Sequence, residues 1–365
     1  MASRLSDYAG LAARLGVDAV AIVPGPNFAR MTGHNFHSNE RPLVLVIPAE
    51  GAPAAVVPNL ELGSFAHLDF PGAVFDWRDQ DGYQRAFDAL ARHMALQSLA
   101  VEGQVMRVFV HHALAAAWPG LRILDAERDI SGLRLCKSPD EIAALEQAIA
   151  ISERALARVL DGVRPGQTEK QVEQALVIAL FAEGAEDQSF APIVAAADNS
   201  ALPHAHARPD YAIRPGDALL LDFGARWGGF CADITRTVFV GHATDEAAEV
   251  YDTVLRANLA GHAVTRPGVT AHQVDDAVIS VLEASPFADR IRTKTGHGLG
   301  REVHEAPYIM RGNHQVLEPG MVFTNEPGLY RIGGFGVRIE DDILVTETGC
   351  RSLTSCPREL IVTAA

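Results

Sequence analysis

A nine-residue phrase occurs twice in this chain of 365 residues: Arg164-Pro165-Gly166-Gln167-Thr168-Glu169-Lys170-Gln171-Val172 returns as Arg266-Pro267-Gly268-Val269-Thr270-Ala271-His272-Gln273-Val274. Each copy carries a Thr-x-x-Gln capping box that opens a helix. Downstream of each helix a Pro-Gly turn feeds an apolar strand, Pro215-Gly216 before Ala218 to Phe223 and Pro319-Gly320 before Met321 to Asn325. Two copies of a helix-plus-hairpin unit bury their apolar faces by joining their sheets, which predicts a pseudo-symmetric sheet flanked by helices.

The chain ahead of the duplication has a different pattern. Strands are expected at Ala19 to Val23, Leu43 to Ile47 and Ala54 to Val57, a helix near Gly82 to Leu96, and short strands near Leu99 and Leu121. At Lys137-Ser138-Pro139-Asp140-Glu141, Ser138 can cap a helix, Pro139 suits its first turn and Glu141 completes a capping box, so a long helix runs from Asp140 to Leu160. This places a domain boundary between 136 and 137. The expected fold class is α+β, a small α/β domain over 1–136 followed by the duplicated domain over 137–365, and the chain length suits two cores.

The formal charge of −15 disfavours phosphate backbones and anionic lipid, so no nucleic acid or membrane partner is expected. Residues 1–24 lack the basic start and continuous apolar core of a secretion signal, and a cytoplasmic location is expected. Cys136, Cys231, Cys350 and Cys356 show no CxxC spacing and sit among apolar neighbours, so they read as reduced packing residues.

The chemistry lies in the acidic residues of the hairpins. Leu219 to Asp222 and Phe230 to Val240 flank Arg226-Trp227-Gly228-Gly229. A hairpin centred between Trp227 and Gly228 sets Asp222 opposite Asp233. The second copy, centred on Gly333, sets Glu326 near Glu340. Carboxylates facing each other at roughly 4.5–5.5 Å between Cβ atoms repel unless a cation lies between them. A lone aspartate at a strand end is ordinarily a solvated turn residue and a lone histidine ordinarily surface or core. Four acids repeated with the duplication form an oxygen-rich cage instead. With the imidazole of His297, in Thr295-Gly296-His297-Gly298-Leu299-Gly300, the set suits two divalent ions about 3.5–4 Å apart.

These motifs resemble the pita-bread metallopeptidases, in their Xaa-Pro aminopeptidase and prolidase branch. The resemblance rests on Leu221-Asp222-Phe223-Gly224-Ala225, Asp233-Ile234-Thr235-Arg236-Thr237, Gly296-His297-Gly298-Leu299-Gly300, Val303-His304-Glu305, Asn325-Glu326-Pro327-Gly328 and Val337-Arg338-Ile339-Glu340-Asp341. They run in the family's order through the C-terminal two thirds. The first domain resembles the creatinase N-terminal domain in outline. The resemblance implies that Asp222 chelates one metal, that Asp233 and Glu340 bridge the pair, and that His297 with Glu326 holds the second. Glu326 would also act as the base, His304 would polarise the scissile carbonyl, and His204 in Leu202-Pro203-His204 would line the substrate cleft, with His206 the weaker match. Arg338 and Tyr330 would fix Asp222 from behind.

Two positions depart from the family pattern, Thr293 where many relatives carry histidine and Arg301 where an apolar residue is usual. Both are expected to touch the substrate pocket. The implied cofactors are two divalent ions per chain, manganese, cobalt, zinc or iron. The implied substrates are small proline-containing peptides, and a homodimer is the expected assembly. A dipeptide's carboxylate calls for an arginine, for which Arg41 is a candidate, although a plain surface arginine is its simpler reading. Methionine aminopeptidase shares the five ligands but lacks a leading domain of this size. Creatinase shares the layout without the ligands, and a peptide-binding pita-bread module is the non-enzymatic alternative.

Overall fold

The computed structural model describes residues 2–37 and 39–364. It divides into two compact units, Met1–Arg134 and Leu135–Ala365, two residues ahead of the boundary expected at Lys137.

In the first unit, six strands form one mixed sheet, ordered Ala73–Trp77, Ala54–Pro58, Val44–Pro48, Ala19–Ile22, Ser98–Val101, Arg122–Asp125. The central strand Ala19–Ile22 is buried along its whole length because both faces are covered. Val20 and Ile22 pack with Tyr8 and Phe28 on one face, while Ala19 and Ala21 pack with Phe87 and Leu114 on the other. Ala73–Trp77 had no counterpart in the sequence reading. It is an edge strand with a half-exposed residue pattern, and its mixed polarity hides it.

The second unit consists of two similar halves. The first has the helix pair Pro139–Leu160 and Glu169–Ala182, and the second has Asp245–Val264 and Ala271–Glu283. Capping boxes form at Ser138/Glu141, Thr168/Gln171 and Thr270/Gln273, each offsetting helix N-terminal donors that would otherwise lack partners. Strands Ile193–Ala196, Ala218–Phe223 and Ile234–Val240 lie side by side in one sheet. Gly296–Gly298, Val322–Asn325 and Asp341–Val345 repeat that order in another. Even single bridges recur at corresponding places, Thr168 with Ala212 and Thr270 with Val316.

The halves are stitched through the strand Ile234–Val240. Thr237 Oγ1 donates to the Arg338 carbonyl at 3.0 Å, and the Glu340 amide donates to the Thr235 carbonyl at 3.1 Å. The buried Arg236 guanidinium donates to the Glu340 carbonyl at 2.6 Å and to Asp341 at 2.8 Å. These bonds bring the acidic ends of both hairpins to the seam.

Candidate metal centre

The first hairpin turns at Gly228-Gly229. Both residues take positive φ, 59° and 76°, as a two-residue primed turn requires. The turn centre therefore lies one residue later than expected, and Asp222 pairs with Thr235, not with Asp233. Asp233 is the diagonal neighbour two residues away. Because side chains alternate along a strand, it still points to the same face.

The second hairpin keeps one register through an interruption, with Asn325 opposite Asp341 and Gly328 opposite Arg338. Glu326 and Glu340 stand across from each other at that break. His297 arrives from the neighbouring strand. A Cβ on Gly296 would lie 1.8 Å from the Thr324 carbonyl oxygen and one on Gly298 would lie 2.1 Å from that of Ala306, so only glycine lets this strand settle so closely. The His297 Nδ1 faces the Gly298 carbonyl at 3.2 Å, leaving Nε2 to face Glu326 at 3.2 Å and Asp233 at 3.6 Å.

Potential ligand atoms of Asp222, Asp233 and Glu340 lie within 4.8 Å of one another, and the same holds for His297, Glu326 and Glu340 and for Asp233, His297 and His304. The first two trios share Glu340, so its carboxylate lies within reach of both groups of potential ligand atoms. Arg338 Nη2 donates to Asp222, Nη1 donates to the Tyr330 hydroxyl at 2.9 Å, and Nε donates to Thr235 Oγ1 at 3.0 Å. The Thr235 hydroxyl donates onward to Glu340 at 2.5 Å.

Burial pushes Asp222 above the ordinary carboxylate range even though Arg338 opposes it. At Asp233 and Glu340 burial and the neighbouring carboxylates act together, and both go well above that range. Glu326 is the exception. Burial acts on it in the same direction, but the hydrogen bond and charge of His297, with Arg338, outweigh it and hold its carboxyl below the usual value. The other oxygen of Asp222, Oδ1, is buried without a hydrogen-bond partner. A crowded carboxylate set with an unmatched oxygen and an imidazole nitrogen facing it fits hard or borderline divalent cations.

Residues 143–347 match the model of metallopeptidase family M24, and residues 4–136 match that of the creatinase/prolidase N-terminal domain. The chain belongs to metallopeptidase family M24. It is 38% identical to the probable dipeptidase PepE of Mycobacterium tuberculosis, over 99% of this chain and 96% of that one. Among solved structures, the prolidase of Thermococcus sibiricus superposes with a TM-score of 0.93 at 34% identity, covering 98% of each chain. The dipeptidase PepE of Mycobacterium ulcerans does so with 0.92 at 35%, covering 100% of this chain and 98% of that one. The match extends over both units, so the fold is the pita-bread domain preceded by a creatinase-type N-terminal domain.

Within this M24 metallopeptidase, His304 stands edge-on to His297 with ring centroids 4.1 Å apart. Partial desolvation, then the neighbouring His297, pushes its pKa down to about 4, and His204, exposed like His304 itself, is close enough to add to that effect. His206 contributes its carbonyl to the Asn199 side chain. Arg41 lies in the first unit, where it pairs with Asp79 at 2.9 Å and Glu40 at 2.7 Å. Arg301 makes its contacts within the second unit. Its guanidinium stacks 4.4 Å from the Phe230 ring centroid and reaches Glu141 at the start of the long helix. Cys136 is exposed rather than packed, and all four cysteines are free.

Several contributors were missed from sequence. Thr235 shares its strand face with Asp233, a signal that period-two reading could have used. Thr324 Oγ1 accepts the His297 amide and donates to Glu326, both at 3.1 Å. Asp342 accepts the Asp233 amide at 3.3 Å. Lys137 and Glu305, the residue after His304, form a buried ion pair at 2.7 Å. No local pattern links positions so distant in sequence.

Proposed function

We propose that this chain is a dinuclear Xaa-Pro dipeptidase, hydrolysing the bond between an N-terminal residue and a following proline. The convergence of Asp222, Asp233, His297, Glu326 and Glu340 on one buried space, with His304 beside them, carries the reading. Those five residues would hold the cations, manganese, cobalt or zinc by donor chemistry. Bound there, two divalent ions would supply Lewis acidity and a nucleophilic water at neutral pH.

The residues divide the remaining work. Glu326, whose carboxyl favours the ionised form, takes a proton from the attacking water and passes it to the proline nitrogen as the C–N bond breaks. His304, neutral at pH 7, offers an N–H to the carbonyl oxygen as it gains charge. His204 lines the cleft. Arg338 and Tyr330 keep Asp222 in one orientation. A bond preceding proline is a tertiary amide without an N–H, so such a substrate needs a dedicated pocket.

The similarity to dipeptidases and a prolidase supports dipeptides over longer peptides. Arg41 remains the candidate for the dipeptide carboxylate, in competition with Asp79 and Glu40. We further propose a homodimer in the cytosol, a setting that suits four unpaired cysteines. No helix of the described residues is long and apolar enough to cross a membrane. Chelated and Mn²⁺-reloaded protein should be assayed on Ala-Pro, Ala-Pro-Ala and Met-Ala-Ser. Metal-dependent turnover of Ala-Pro above the other two is expected. Preference for Ala-Pro-Ala would make the enzyme an aminopeptidase, preference for Met-Ala-Ser a methionine aminopeptidase, and failure on all three would sink the proposal.

A further inference from the structure

Each half of the catalytic unit sends out an excursion carrying histidines, and each excursion is closed at its base by one buried carboxylate. In the first half Glu169, fully buried in the first turn of its helix, accepts the Ala196 amide at 2.7 Å and the Arg208 amide at 2.7 Å. Between these residues lies Leu202-Pro203-His204-Ala205-His206. The same carboxylate accepts the Asn199 side chain at 2.9 Å and the Arg208 guanidinium at 2.8 Å. In the second half, buried Asp275 accepts the Thr295 amide at 2.8 Å through one oxygen and the Arg311 amide at 2.9 Å through the other. Between these two lie His297 and His304.

We propose that Glu169 and Asp275 are positioning residues for the reaction, clamping the two histidine-bearing excursions so that His204 and His304 face the carboxylate cluster in register. The inference rests on the peptidase reading only where turnover is the readout.

Three observations carry it. First, an ionised carboxylate is acceptor-only, with two oxygens, and can take N–H groups from both ends of a segment. An amide of the same size would aim a donor at one of them. Second, Ala197, next to the clamped Ala196, holds a left-handed φ of 51°. That conformation is unfavourable for a non-glycine residue and persists where its surroundings over-determine it. The first excursion is also tied at its middle, since Ser200 Oγ accepts the Gly336 amide at 2.9 Å at the start of the strand that bears Arg338. Third, the two clamps are not duplicated residues. The repeated phrase aligns Glu169 with Ala271, and Asp275 lies one turn further along the same helix face. The two copies share the device without sharing the position.

The tests use isosteric variants of the full chain. E169Q should speed amide exchange in residues 197–207 by tenfold or more, leave Mn²⁺ affinity unchanged, and lower kcat/KM on Ala-Pro by about 10- to 100-fold. In an H204A background E169Q should cost little more, because both changes remove one contribution. D275N should speed exchange in 296–310 and weaken Mn²⁺ binding, since His297 lies inside that clamp. If E169Q does not fold, E169D, which keeps the charge on a shorter arm, should give the same pattern at smaller amplitude. Uniform exchange across the unit, full multiplication of the E169Q and H204A losses, or unchanged Mn²⁺ affinity in D275N would each overturn the proposal. A wild-type enzyme inactive on Ala-Pro, Ala-Pro-Ala and Met-Ala-Ser alike would instead defeat the peptidase reading, leaving exchange and metal affinity to judge the clamps.

Discussion

Both units bury carboxylates, and they do so on different terms. In the first unit Glu102 is fully buried, accepting the Asn27 side chain at 2.9 Å and the Val23 amide at 3.2 Å. Burial pushes its pKa up to about 7, and holding one proton answers the problem. In the second unit four acids from two hairpins converge around one arginine and one histidine, and Asp222 Oδ1 lacks a partner. A perturbed carboxylate by itself is thus no mark of function, because structural groups shift too. Convergence separates the two regions.

That contrast can be broken experimentally. Glu340 belongs to two of the ligand trios, so E340Q should abolish stoichiometric Mn²⁺ binding in calorimetry and lower turnover by on the order of 10³-fold. Retained binding would dissolve the distinction. Glu102 should matter only to stability. Its folded pKa is raised from 4.5, so its contribution is fully present below 4.5 and is lost as pH rises through about 7. The decline amounts to about 3 kcal/mol. E102Q should flatten it in denaturant titrations followed by tryptophan fluorescence, to which buried Trp77 and Trp118 contribute, with turnover unchanged. R338K keeps the charge but loses the planar fork that serves Asp222, Tyr330 and Thr235 together. Ala-Pro kcat/KM should drop about 10- to 100-fold. Smallest is Y330F, which removes one acceptor from Arg338 and should cost about 1 kcal/mol of stability.

The duplication made the second unit legible, because repeated turn and capping residues are local signals. The Glu326 and Glu340 pairing followed from the centre at Gly333. In the first hairpin the glycine pair takes the turn, and the register moved Thr235 opposite Asp222. The carboxylates still converged because the error preserved strand parity. What sequence could not carry was contact between distant positions. The roles of Thr324 at His297 and of Glu169 at the loop base depend on packing, with no recurring spacing to announce them. In the first unit, continuous apolar strands were visible while the edge strand Ala73–Trp77 was not.

The buried pair of Lys137 and Glu305 sets a rule for anyone trimming this protein. A shortened version starting at Ser138 would begin neatly at a helix cap, yet it would discard the cation buried against the neighbour of His304. Losing one member of such a pair costs roughly 3–5 kcal/mol. A version starting at Leu135 keeps it, and should outlast the shorter one on heating.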